Sequence, residues 1–190
     1  MNKDILICGV GGQGSVLASK LIASVAMEKG ETVHSAETIG MAQRGGSVTS
    51  HVRIGEAYSP LIPVGGADVI LAFEPAEAVR NLSYLKPDGM VITNNTPVKP
   101  STDALSDSGY EAEPMLKYLS DKCRCIVMDG KKIEEEFGSS KFLNIALLGL
   151  ATREGILGFD EDEMIAGIEK YVNPRFTEIN KKVFKSMMED

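Results

Sequence analysis

Asp4-Ile5-Leu6-Ile7-Cys8-Gly9-Val10-Gly11-Gly12-Gln13-Gly14-Ser15 decides the fold. A short apolar run ends in a cluster of glycines, and Leu17, Leu21, Ile22 and Val25 then follow at helical spacing. The run reads as a buried strand over residues 4–8. The helix reads as residues 15–28, closed by Gly30. Thr32-Val33-His34 opens a second strand over residues 31–36. Strand, glycine loop, helix and strand make a βαβ unit, which implies a parallel sheet with a right-handed crossover.

Downstream, residues 37–46 read as a loop. Residues 47–54 alternate Val48, Ser50, Val52 and Ile54 against Thr49, His51 and Arg53, the period of a strand. A turn at Gly55-Glu56 suggests a short return through residue 62. Residues 67–73, 90–93 and 125–128 read as buried strands, with Pro87-Asp88-Gly89 as a turn. Helices are expected at 74–82, 113–119, 131–137, 141–155, 160–171 and 174–188. The proline-rich stretch 95–109 is expected to be a surface excursion. No repeat or linker divides the chain, so residues 1–190 are expected to form one domain. The fold class is α/β: a three-layer sandwich on a largely parallel, Rossmann-like sheet, with an antiparallel addition from residues 47–62 and a helical C-terminal part.

The chain has 190 residues, 43% hydrophobic and 25% charged. At that length about 70% of the unfolded surface is buried on folding, so no disulfide or metal is needed as a staple. The net charge of −7 excludes nucleic acid as the main partner, because phosphate binding needs a basic footprint. No run reaches the roughly 18 apolar residues of a membrane helix, and the start lacks a signal-peptide pattern. Cys8, Cys123 and Cys125 fall on or beside strands and read as reduced thiols, which points to the cytoplasm. They are too few for a ferredoxin-type cluster, and no metal site is expected.

Two motifs carry chemistry. Gly9-Val10-Gly11-Gly12-Gln13-Gly14 satisfies G-x-G-x-x-G between a strand and a helix. Gly11, Gly12, Gln13 and Gly14 would bring backbone N–H groups and the positive helix end to an anion. A side chain at Gly12 would then clash with a ligand or a neighbouring element. Gln43-Arg44-Gly45-Gly46-Ser47 sets a guanidinium fork beside accessible N–H groups, which suits a carboxylate or phosphate. His34 and His51 read as structural. No residue is assigned to proton transfer or nucleophilic attack. Asn94-Asn95 lacks the spacing of a thiamine-diphosphate motif.

The pairing of the glycine loop with Gly40-Met41-Ala42-Gln43-Arg44-Gly45-Gly46-Ser47-Val48 resembles gamma-type subunits of the 2-oxoacid:ferredoxin oxidoreductases. The continuations Ser50-His51-Val52-Arg53-Ile54-Gly55, Ser59-Pro60-Leu61-Ile62-Pro63 and Phe73-Glu74-Pro75-Ala76-Glu77-Ala78 are similar to the indolepyruvate type, whose small subunit is called beta. The resemblance covers residues 5–95 with specific motifs. It implies a small subunit, inactive alone, of an enzyme that converts aryl 2-oxoacids and coenzyme A to acyl-CoA, CO2 and reduced ferredoxin. Thiamine diphosphate and iron-sulfur clusters would sit on a larger partner subunit, with ferredoxin as electron acceptor and no cofactor bound by this chain alone. A gamma subunit of a pyruvate or 2-oxoglutarate enzyme is the near alternative. A free-standing NAD(P)- or FAD-binding protein and a purely structural assembly subunit are the alternatives of another class.

Overall fold

The computed structural model describes residues 1–39, 46–98 and 109–189. Six strands form one sheet in the order β2-β3-β1-β4-β5-β6. They are β1 (Lys3–Val10), β2 (Val33–Ile39), β3 (Ser47–Ile54), β4 (Ala67–Ala72), β5 (Leu85–Asn94) and β6 (Arg124–Met128). The helices are α1 (Ser15–Glu28), α2 (Pro75–Asn81), α3 (Ala112–Lys122), α4 (Gly130–Phe137), α5 (Leu143–Arg153), α6 (Glu161–Tyr171) and α7 (Thr177–Glu189).

β1, β4, β5 and β6 are parallel neighbours. Their residues alternate between two apolar layers. Ile5, Ile7, Val69, Leu71 and Ile92 pack with α1 and α4 to α7 on one face. Leu6, Cys8, Ile70, Ala72 and Val91 pack with Ala78 of α2 and Leu119 of α3 on the other. The three-layer α/β sandwich is therefore present, with its thicker layer built from the C-terminal helices. α5 lies at the centre of that layer: every residue from Leu143 to Thr152 is buried. A helix apolar on all sides must be wrapped by others, and α1, α4, α6 and α7 wrap it.

The first βαβ unit differs from the sequence expectation. β1 and β2 are not neighbours. β3 lies between them, antiparallel to both, from Lys3↔Ile54 to Val10↔Ser47 and from Val33↔Ile54 to Ile39↔Val48. The reason is connection length. The short link from β2 to β3 can join only antiparallel neighbours, whereas parallel strands need a long crossover. β3 is largely buried and suits the interior. β2 carries His34, Ser35, Glu37 and Thr38, and a polar strand suits an edge.

Two smaller expectations also change. The antiparallel addition stops at Ile54, and residues 55–66 form no strand. Pro87-Asp88-Gly89 is not a turn between elements but lies inside β5. There, two steps along β4 (Ala67 to Val69) face five along β5 (Leu85 to Met90). Extra residues on one strand of a pair are absorbed as a bulge.

Residues 55–66 are held against the sheet from beneath. The Ile62 N–H donates to His51 Nδ1 at 3.1 Å, and the His51 ring meets Tyr84 edge-on at 5.7 Å. Arg53 reaches the carbonyls of Ser59 and Leu61 at 3.0 and 3.3 Å while it pairs with Asp4 at 2.7 Å. Both strand positions therefore do structural work, as expected for His51.

Two predictions follow from this packing. A Cβ at Gly149 of α5 would stand 2.7 Å from the Phe184 carbonyl and 2.9 Å from Met187 Cβ on α7. Gly149→Ala must push α7 outward. It should cost about 1–3 kcal/mol in denaturant titration, and wild-type stability would show that the two helices pack loosely. His51 is held below its ordinary pKa by burial and by the Arg53 charge. A histidine with a lowered folded pKa binds its proton more readily when unfolded. Stability should then be full above the unfolded value of about 6.5 and fall as pH drops below it. His51→Asn should flatten that acid limb in melting curves run from pH 8 to 5.

Candidate functional site at the carboxyl edge of the sheet

In open α/β sheets ligands meet the carboxyl ends of the strands. Here those ends are the glycine turn after β1, Phe73 and Glu74 after β4, Asn94 to Thr96 after β5, and Asp129 after β6. The antiparallel register sets Val10 opposite Ser47, and Gly11 N–H donates to the Gly46 carbonyl at 2.8 Å. Gly11 to Gly14 and Gly46–Ser47, more than thirty residues apart in sequence, thus share one corner. Gln43, Arg44 and Gly45 lie outside the described residues.

The turn uses its residues in different ways. The Gln13 side chain is committed internally: Oε1 accepts from Val10 N–H at 2.8 Å and Nε2 donates to the Phe73 carbonyl at 2.7 Å. The Gln13 N–H is spent too, donating to the Val10 carbonyl at 3.2 Å. Gly14 is the left-handed N-cap of α1, φ 83° and ψ 22°, and a Cβ there would collide with the buried Asn144 side chain. Gly12 behaves otherwise than expected. Its φ is 103°, yet nothing stands within 4 Å of the place where its Cβ would be. Its backbone conformation requires glycine, and the close approach falls at Gly9 and Gly14.

The start of α1 has no side-chain cap and no acidic residue in its first turn. A fourteen-residue helix thus points its partial positive end outward without an internal counter-charge. Beside the turn that leads into it lies a cleft of about 380 Å³, which Gly12, Gln13, Thr96, Ser140, Lys141 and Glu134 help to line. Backbone N–H groups at a helix start, with a lysine nearby, suit an oxyanion.

Asn94 and Asn95 close the floor. Asn94 Nδ2 donates to the Phe73 carbonyl at 2.8 Å, and its Oδ1 accepts from Thr96 N–H at 2.7 Å. Asn95 Oδ1 accepts from Gly130 N–H at 3.0 Å, and its Nδ2 donates to Asp129 at 3.2 Å. Asp129 caps α4, and the Asn95 hydrogen bond, followed by the helix N–H groups, holds its carboxyl below the usual range. A sequence reading asks only whether these asparagines bind thiamine. Their task is to lock β5 to β4 and β6.

The cysteines sit in unreactive surroundings. Burial pushes the Cys8 thiol well up, and Glu77 and Glu74 add to the effect. Burial, then Cys123, pushes Cys125 up to about 11. Such thiols are poor nucleophiles and poor metal ligands at neutral pH. Among the described residues no group of three His, Cys, Asp or Glu side chains is arranged to hold a metal ion. No described helix is long and apolar enough to cross a membrane.

Comparison with known proteins gives a family and a fold. A family model described as pyruvate ferredoxin/flavodoxin oxidoreductase matches residues 4–189. Indolepyruvate oxidoreductase subunit IorB of Archaeoglobus fulgidus is 37% identical, over 97% of this chain and 93% of its own. Two solved structures share the fold. Pyruvate oxidoreductase subunit PORC of Thermotoga maritima matches 100% of this chain and 96% of its own, with TM-score 0.74 and 23% identity. A 2-oxoglutarate:ferredoxin oxidoreductase from Magnetococcus marinus, with 2-oxoglutarate, coenzyme A and succinyl-CoA bound, matches 99% of this chain but only 31% of its own, with TM-score 0.71 and 18% identity.

The two inner glycines of the turn should respond differently to alanine. Gly12→Ala meets only a left-handed backbone, a cost of about 1–2 kcal/mol. Gly14→Ala meets that cost and the Asn144 side chain as well, and should lower the melting temperature further. Equal losses for the two variants would show that Asn144 moves aside freely.

Proposed function

The chain belongs to the pyruvate ferredoxin/flavodoxin oxidoreductase family, as a small subunit of the indolepyruvate type, and we propose that it completes an enzyme acting on indolepyruvate and related aryl 2-oxoacids. The reaction is oxidative decarboxylation: one 2-oxoacid and coenzyme A give acyl-CoA, CO2 and a proton, and two electrons pass to two oxidised ferredoxins. The observation that carries this reading is the glycine turn, joined to Gly46–Ser47 and leading into an uncapped helix start beside a cleft.

The division of labour follows from what this chain carries. A four-thiolate cluster needs four cysteines, and the chain has three, of which two lie together in sequence. Its own donor set therefore does not fit such a cluster, and the clusters are assigned to a larger partner subunit. Thiamine diphosphate, bound on that partner, supplies the electron sink that decarboxylation requires. This chain's part is to bind and orient. The N–H groups at the start of α1, with Lys141 on the cleft beside the turn, suit an oxyanion of coenzyme A, of the substrate, or of the partner. The fold of this whole chain recurs as about a third of the longer Magnetococcus chain, which supports a role as one component of a larger enzyme.

The dinucleotide alternative has little support. In that arrangement the acidic residue closes a strand next to β1. Here Glu37 lies on β2, two strand spacings from β1, or roughly 9–10 Å. Its carboxylate is engaged by Ser19 Oγ at 3.2 Å.

Expressed alone, the chain should be folded yet unable to reduce viologen with indolepyruvate, coenzyme A and thiamine diphosphate. Co-expression with the large subunit should restore reduction, and a complex inactive on every aryl 2-oxoacid would refute the reading. Arg44 is proposed as a further anion contact. Arg44→Lys keeps charge but loses the fork, and should raise a KM in the complex about ten- to a hundredfold. Weakened co-purification with unchanged KM would place Arg44 at the subunit interface instead.

A further inference from the structure

Residues 55–66 form neither strand nor helix, yet their backbone is fixed almost from end to end. Gly55 N–H donates to the Thr32 carbonyl at 2.8 Å, Gly65 N–H to the Ser83 carbonyl at 2.9 Å and Gly66 N–H to the Pro63 carbonyl at 3.0 Å. Leu61 N–H donates to Ser59 Oγ at 3.2 Å. These bonds add to the one from Ile62 to His51 and the two from Arg53. Pro60 and Pro63 narrow the backbone further.

The side chains of this loop do not share in the core to match. Among its large apolar residues only Ile62 turns inward, and it is 2% exposed. Tyr58 is fully exposed, Leu61 is 53% exposed and Val64 72%. Single exposed apolar side chains are ordinary, but three within residues 58–64 mark a surface built to be covered. The loop is also nearly free of charge, since Glu56 is the one charged residue of 55–66. The charges it rests on cancel in pairs, Arg53 with Asp4 at 2.7 Å and Lys86 with Asp68 at 2.5 Å.

Ordering a loop costs entropy at every residue, and one buried isoleucine returns little of it. A loop ordered in advance favours a partner that meets it already in shape. That partner must offer apolar surface with little charge. A second copy of this chain suits poorly. A two-fold contact needs a self-complementary patch, whereas these side chains project. The cavity of about 680 Å³ beside Tyr58 is lined by polar residues such as Asn2, Glu31, Thr32 and His34. A small subunit, in contrast, needs a non-covalent contact with the rest of its enzyme.

We propose that residues 58–64 dock this chain on its large subunit, with Tyr58, Leu61 and Val64 seated in an apolar, weakly charged socket. This rests on the functional reading above. β3 ends at Ile54 opposite Lys3 and begins at Ser47 opposite Val10, so the docking loop and the glycine turn lie at opposite ends of the sheet.

The test measures dissociation constants between the large subunit and three forms of this chain. They are the wild type, the triple variant Tyr58→Ser, Leu61→Ser, Val64→Ser, and Phe176→Ser, whose side chain is as exposed as Leu61 but lies before α7. The triple variant should keep its melting temperature and bind about a hundredfold more weakly, because a few apolar anchors dominate an interface. The loss should persist at about 0.5 M salt, where exposed charge pairs are screened. Phe176→Ser should bind like the wild type. Should the triple variant fail to fold, Leu61→Ser alone decides, with a loss of about tenfold. Wild-type affinity in the substituted chain overturns the proposal. So does light scattering that shows the wild type pairing with itself through these residues while the large subunit binds regardless of them. Tight, loop-dependent association in a complex inactive on every aryl 2-oxoacid supports the docking site and refutes the substrate reading. A wild-type chain that does not bind the large subunit overturns both.

Discussion

The carbonyl of Phe73 accepts two side-chain amides, Gln13 at 2.7 Å and Asn94 at 2.8 Å. Three parallel strands are pinned at that oxygen: β1 through the glycine turn, β4 through its own end, and β5 through its asparagine. Much of the carboxyl edge depends on it. Gly9 must lack a side chain because Gln13 Oε1 and Phe73 Cβ would stand 2.7 and 3.2 Å from it. The turn's one polar side chain is spent there, and its Gly11 and Gln13 N–H groups are spent on the Gly46 and Val10 carbonyls. Each such bond contributes about 1 kcal/mol net, but a buried amide left without its partner costs more. The edge is thus rigid before any ligand arrives, which favours binding by lowering the ordering cost.

The antiparallel strand β3 gives this glycine motif its particular surroundings. In a dinucleotide fold a parallel strand stands beside β1 and supplies an acidic residue to the ribose. Here that neighbour runs the other way, so the residues facing the turn come from the start of β3. Gly46 and Ser47 replace an acid. The corner is closed by the Gly11 N–H on the Gly46 carbonyl and by the Ser47 hydroxyl on Glu77.

Charge is managed unevenly across the molecule. The net charge is −7, and most acids lie at the surface, where pairs such as Lys170–Glu28 are solvated and worth little. The exceptions are Glu74 and Glu77, buried at the start of α2. Burial of Cys8 pushes its thiol well up, and the charges of Glu77 and Glu74 add to that.

Much of this was legible in the sequence because it is local. Continuous apolar runs marked β1, β4 and β5; 3.6-residue spacing marked α1; the glycine cluster marked the turn between them. Strand order was not legible, because it is set by a competition between neighbours: a short link forces β3 against β2, and its buried faces then draw it between β2 and β1. The bulge in β5 was hidden in the same way, since Pro87-Asp88-Gly89 is a turn by composition and a strand only when β4 is alongside. At the site, residue types and motif positions were written in the chain, but the direction of each side chain was not. Gln13 and Glu77 both look available in one dimension. Only the packed structure, by offering Gln13 the Phe73 carbonyl and Glu77 the Ser47 hydroxyl, decided that one closes the turn and the other reaches out to its flank, because a buried polar group takes whatever partner tertiary contact brings within hydrogen-bond range.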